Sequence, residues 1–200
     1  MKLIPAILAM ASVVVASNIL VLHPLGAWLT WGALTYPLAF LVNDITNRLY
    51  GVTAARRVVL AGFVAGLICS VVAAFYGVTT LRLALGSLTA FLVGQMLDIG
   101  VFSRYRQQAW WRAPLISTVL GSTVDTVLFF TIAFAGSLAF LEPSNDVAWA
   151  GEIGALLGFG PGVPFWVSLA VADWCVKLAI AVLGLLPFRL IVAKRAAGIA

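Results

Sequence analysis

Charge is scarce in this chain of 200 residues. Lys, Arg, Asp and Glu together make up 10% of it, against 63% hydrophobic residues, and the mean hydropathy is +1.11. That balance excludes a soluble domain of this size and implies a polytopic membrane protein. Cysteine is nearly absent: Cys69 and Cys175 form no CxxC pair, and the lone histidine, His23, borders a loop beside Pro24. No thiolate or imidazole metal centre can be assembled from these, so no metal and no cofactor is expected. The cysteines read as small packing residues and His23 as an interfacial one. GxxxxGK[ST], HExxH and GxSxG are also missing, which removes a built-in ATP motor, a zinc protease and a serine hydrolase. The net charge of +5 does not point to nucleic acid, because the bases are confined to short segments between apolar runs. That arrangement is a topology signal.

What is present is a series of apolar runs. A bilayer core takes ~20 mostly apolar residues per helix, and six runs qualify: 3–22, 27–47, 58–76, 83–102, 114–141 and 163–192. The expectation is therefore an all-α polytopic membrane protein, a single transmembrane domain over 1–200. The first run, MKLIPAILAMASVVVASN, has the small residues of a signal peptide. It continues through Ile19 to Leu22 and so reads as a span. Lys2, Arg48, Arg56, Arg57, Arg104, Arg106, Arg112, Arg189, Lys194 and Arg195 fall on alternate connections and the tail, whereas the other connections hold only Arg82 and the acids Glu142, Asp146 and Glu152. Retention of bases in the cytoplasm then places both termini there. AFLVND at 39–44 recurs as AFLVGQ at 90–95, a short echo between two spans of the same expected direction.

Polar residues inside such runs are costly, about 2.5 to 3.5 kcal/mol per charge at a helix centre, so they face one another or water. Asp125 lies roughly 18 Å along its helix from Ala113, near the middle of a ~30 Å core, and Asp173 reaches a similar depth from the opposite direction. Asp98 is shallower, with Gln95 one turn away on the same face. Lys177 follows Asp173 at i+4, and Arg48 follows Asp44 at the same spacing, so each is expected to form an ion pair along its own helix. For Asp44 and Arg48 the pair is structural or gating. Asp125 has no base in its own span. Phe91, Gln95 and Asp98 share one helical stripe, and Ser122, Asp125 or Thr126, and Phe129 share another. Both stripes combine aromatic area with hydrogen-bonding groups, suited to a flat, polar-edged ring. Trp174 beside Asp173 and Asn18 in the first span belong to the same set. Interhelical polar contacts without transport are the plainer account of these groups.

The segments LTWGALTYPLAFLVNDITNRLYG, LVGQMLDIGVFSRYR, WWRAPLISTVLGSTVDTVLFFTIAFAG and ADWCVK closely resemble, in order and spacing, the bacterial queuosine precursor transporters of the vitamin uptake transporter family. The resemblance covers roughly 17–187. It implies an inner-membrane importer of cyano- or aminomethyl-deazaguanine for salvage into tRNA modification. The family's polar signature falls on Asn18, Asp44, Arg48, Gln95, Asp98, Asp125, Asp173 and Lys177; the acidic stretch 142–162 is particular to this chain. A guanine-like edge presents a ring N–H and an exocyclic amine together, which one carboxylate accepts. Asp125 or Asp98 is expected to read that edge, with Gln95 and Asn18 completing the hydrogen bonds and Phe91, Phe129 or Trp174 stacking on the ring. The partners expected are the heterocyclic substrate and the lipid bilayer, with a homo-oligomer compatible. Two other classes stay open. One is the substrate-binding subunit of a multi-component vitamin importer with an ATPase partner; the other is an intramembrane enzyme using paired aspartates.

Overall fold

A computed structural model describes residues 3–197. The chain is helical apart from two short hairpins. Helix α1 (Ile4–Leu20) leads into strands β1 (Pro24–Leu25) and β2 (Leu29–Thr30), then α2 (Trp31–Thr35), α3 (Leu38–Tyr50), α4 (Val52–Phe75), α5 (Leu81–Tyr105) and α6 (Arg112–Phe134). A 3-10 turn at Gly136–Leu141, the short α7 (Ala148–Gly151), strands β3 (Ile153–Ala155) and β4 (Gly162–Pro164), and α8 (Phe165–Ala197) complete it. Both strand pairs are antiparallel. Lys2 lies outside the described residues.

Four helices, α4, α5, α6 and α8, are each long and apolar enough to cross a bilayer, while α1 is a shorter apolar helix of 17 residues. The second expected span, 27–47, is not one continuous helix. Its first residues belong to the turn and second strand of the β1–β2 hairpin, and the helix is interrupted at Tyr36 and Pro37, where proline supplies no N–H to carry the ladder forward. The fifth, 114–141, ends as a helix at Phe134 and continues as a 3-10 turn. Between α3 and α4 the chain turns at Gly51, φ 84°, a left-handed position that glycine takes without a Cβ penalty.

Contacts fix how the helices run. Met10 and Val14 of α1 meet Gly62 and Gly66 of α4 in step, so these two are parallel. Asn43 and Asn47 of α3 reach Gln95, Asp98 and Ile99 of α5 in the same order. Between α5 and α6 the order reverses: Gly86 lies against Phe129, and Gly94 against Gly121 and Asp125. Lipid supplies no hydrophobic drive between spans, so close backbone approach at small residues has to hold such a pair. A Cβ on Gly94 would stand 2.8 Å from Cβ of Asp125, and one on Gly121 would stand 2.9 Å from the Gly94 carbonyl oxygen and 3.1 Å from Cβ of Asp98.

Away from the basic end, the N-terminus of α5 is closed by side chains. Thr80 Oγ1 accepts from the Leu83 N–H, and the two carboxylate oxygens of Glu142 accept from the N–H groups of Leu81 and Arg82. Three of the four unpaired donors of that helix end are thereby met. Arg82, read as a loop base, is fully buried and donates to the carbonyls of Ile132 and Ala135, closing the C-terminus of α6. Cys175, read as a packing residue, is exposed.

Two outcomes follow. Gly121→Leu pushes α5 and α6 apart and is expected to cost about 1–3 kcal/mol, the usual penalty of overpacking, seen as a lowered melting temperature and early elution of the detergent-solubilised protein. The Arg82 backbone N–H chiefly, with help from Leu81, Thr80 and the Arg82 charge, holds the Glu142 carboxyl below the usual range against an opposing burial effect. A carboxyl whose folded value is depressed stabilises the fold above its unfolded value and loses that contribution as pH falls through the folded one. The stability difference between wild type and Glu142→Gln should therefore be full at neutral pH and shrink below about pH 4.

Candidate functional site

A cavity of about 530 Å³ opens between the hairpin 24–30, the start of α5, and the segment carrying Trp149 and Phe165, and it descends to Asp125, Asp173 and Lys177. Its volume suits a small heterocycle. Asn18 and Ser17 of α1 line it, as do Tyr36 and Phe129.

The floor is built around one ammonium. Lys177 Nζ stands 2.6 Å from Oδ2 of Asp125 and 2.6 Å from Oδ2 of Asp173. Its third proton goes to Thr126 Oγ1 at 2.8 Å, and Thr126 in turn donates to Asp173 Oδ2 at 3.0 Å. Tyr36 donates its hydroxyl to Asp125 Oδ1 at 2.7 Å, and its ring centroid lies 5.3 Å from Nζ. The sequence brings these groups together from two helices and a helix break: α8 supplies Asp173 and Lys177 one turn apart, α6 supplies Asp125 and Thr126, and the break at Pro37 sets Tyr36 between them. Interrupted helix at this depth is tolerated where it is buried in protein or borders a cavity.

Two carboxylates against one ammonium leave the floor with one formal negative charge. Asp125 is saturated, one oxygen by Tyr36 and the other by Lys177. Asp173 is not: its contacts among the described residues all use Oδ2, and its side chain is 15% exposed along the cavity. Asn18 spends only its N–H on the Val14 carbonyl, which leaves its amide oxygen as a second acceptor. Aromatic rings rise from this floor in edge-to-face steps, with centroid separations of 5.0 Å for Phe129–Phe130, 6.2 Å for Phe129–Phe134, 5.7 Å for Phe134–Trp149 and 6.1 Å for Trp149–Phe165. Such rings give apolar walls with room for a stacked planar guest.

Of the residues picked out from sequence, Asn18, Asp125, Phe129, Asp173 and Lys177 line this cavity. Phe91, Gln95, Asp98 and Trp174 do not. Phe91 packs edge-on behind Tyr36, at 6.2 Å. Trp174 donates to Thr123 on α6 at 2.9 Å. Gln95 and Asp98 belong to a separate buried cluster with Asn43, toward the basic end of the helices. Asp125, which has no base in its own span, takes one from α8. The ion pair expected between Asp44 and Arg48 is absent among the described residues: Asp44 accepts from Ser117 and Thr118, while Arg48 donates to the Arg106 carbonyl and Arg106 to that of Arg48. At i+4 near a helix end, each found a better partner across the interface than along its own helix.

Tyr36 and the Trp149–Phe165 wall were missed. Tyr36 precedes a proline inside an apolar run, the one local signal that its helix stops where a buried hydroxyl is needed. Nothing in the local pattern of 142–164 separates wall from loop.

Removing the ammonium would leave two buried carboxylates facing each other, a defect worth about 3–5 kcal/mol. Lys177→Met should lower the melting temperature strongly, and Asp125→Asn added to it should restore part of the loss. Additive losses in the double variant would contradict the shared floor.

The family profile described as putative vitamin uptake transporter matches residues 30–79 and 73–192. The queuosine precursor transporter of Escherichia coli (strain K12) is 34% identical over 194 residues, covering 88% of this chain and 79% of that protein. A probable queuosine precursor transporter of Haemophilus influenzae is 40% identical over 137 residues, 60% of this chain and 57% of that one. Another, of Bacillus subtilis (strain 168), is 32% identical over 136 residues, 56% and 58% of the two chains. No solved structure matches. A profile that covers the interrupted second helix, both helices of the glycine contact and the whole ammonium floor places the chain in the family of putative vitamin uptake transporters.

Proposed function

We propose that this chain is a multi-pass inner-membrane importer of queuosine precursors of the deazaguanine type. In this reading α1, α2 with α3, α4, α5, α6 and α8 make six crossings, and both termini lie with Arg48, Arg106 and the other loop and tail bases except Arg82 on the cytoplasmic side. The cavity then opens outward, and the mutual Arg48–Arg106 contact closes the inner end. The names of the relatives suggest the substrate class. One observation carries the assignment of the site: an apolar, aromatic-walled cavity ends on a floor with a surplus negative charge and one unspent carboxylate oxygen.

Deazaguanines match that floor. Their ring N–H and exocyclic amine are donors that Asp173 Oδ1 and the Asn18 amide oxygen accept, and an aminomethyl group carries the positive charge the floor lacks. Asp173 therefore takes the reading role expected of Asp125 or Asp98. Asp125 serves by holding Lys177 and Tyr36, and Phe129 offers the stacking surface.

Hydrogen bonds to charged groups contribute about 1.5–3 kcal/mol, so Asp173→Asn should raise the half-saturating precursor concentration roughly tenfold or more in proteoliposome uptake. Phe129→Ala should weaken uptake and Phe129→Tyr should spare it. Full uptake by Asp173→Asn would overturn the assignment. Uptake by this chain alone separates a self-sufficient importer from the binding subunit of a complex that needs an ATPase.

A further inference from the structure

Below the cavity, toward the basic end, lies a second polar centre that the substrate site does not use. Asp44 of α3 and Asp98 of α5 are 2% and 1% exposed and converge on the same stretch of α6, Asp44 on Ser117 and Thr118 and Asp98 against Gly121. Ser117 and Thr118 donate to the two oxygens of Asp44 at 3.2 and 3.1 Å. Asn43 donates to Asp98 Oδ2 at 2.9 Å. Four groups are left over: Asp98 Oδ1, the amide oxygens of Asn43 and Asn47, and the whole amide of Gln95 have no partner among the described residues, and all are buried. A cavity of about 20 Å³ touches Asp44 and Thr118. That is room for one water molecule and far too little for a heterocycle.

Among the described residues no cation compensates this centre. Arg48 and Arg106 are spent on each other's carbonyls, Lys177 on Asp125 and Asp173, and Arg56 and Arg57 on α4 are exposed. The α8 residues at the small cavity, Ile180, Ala181, Gly184, Leu185 and Phe188, do not titrate. Two carboxylates buried in one such cluster with no cation beside them are costly to ionise together, and one proton is the cheapest remedy.

We propose that Asp44 and Asp98 form a proton site, distinct from the substrate cavity, whose loading and release drive precursor uptake. This rests on the transporter reading above. The link between the two sites is the glycine contact of α5 and α6, where Gly94 packs on Asp125 and Gly121 on Asp98. A change of charge at Asp98 is felt one turn from the floor that holds the substrate.

The test has a part that needs no substrate. Infrared titration of the purified full chain should show a protonated-carboxyl band that Asp98→Asn or Asp44→Asn removes or shifts and Asp146→Asn leaves alone. A wild-type spectrum lacking any buried carboxyl band overturns the proton site. In proteoliposomes, an inward pH gradient should let the wild type accumulate labelled precursor above equilibrium. Asp98→Asn should keep exchange of labelled for unlabelled precursor, which also shows that it is folded, and lose that accumulation. Wild-type accumulation that ignores pH, or follows a sodium gradient instead, overturns the proposal while leaving the importer intact. Precursor exchange absent in the wild type, with the carboxyl band present and sensitive to Asp98→Asn, would sink the importer reading and uphold the proton site.

Discussion

A lysine ammonium with a carboxylate oxygen 2.6 Å away on each of two helices sets the terms for everything above it. In a low-dielectric interior an uncompensated charge costs several kcal/mol, so Asp125, Asp173 and Lys177 are tolerable only together. Their joint demand dictates that α6 and α8 meet face to face at this depth. Tyr36 is part of the same constraint, because Asp125 Oδ1 would otherwise be a buried acceptor without a donor.

The surrounding packing serves that meeting point. Glycines at 94 and 121 let α5 sit so close to α6 that Asp125 and Asp98 flank the contact from opposite sides. The upper end is closed off by Arg82 and Glu142, which take care of the exposed helix ends of α6 and α5. The lower end is joined by Arg48 and Arg106. Between them, rings from α6, α7 and α8 form walls on one side of the floor, and the floor itself keeps a surplus acceptor. The proposed planar, donor-rich guest would meet both surfaces at once.

Two acidic centres lie at different depths. The upper one is compensated by lysine and wetted by a large cavity; the lower one has no cation and room for a single water. The proposed roles follow from that difference: recognition at the first and proton exchange at the second. The same glycine pair touches one aspartate of each, which gives the two a mechanical connection shorter than any path through the loops.

The membrane class, the apolar runs and the polar side chains worth noticing were legible in the sequence because hydrocarbon makes each buried charge expensive and hence conspicuous. Spacing also gave the Asp173–Lys177 pair, since i+4 on one helix needs no knowledge of neighbours. Partnerships between helices were beyond it. Asp125 with Lys177, Tyr36 with Asp125, Asp44 with two hydroxyls, and Arg48 with a carbonyl are set by rotation and depth of whole helices, and short glycine contacts fix those. The local pattern put Gln95 and Asp98 beside Asp125 in one cavity; only the packed structure separated them, because Asp44 and Asp98 meet α6 at Ser117, Thr118 and Gly121, about one to two turns nearer the basic end than Asp125.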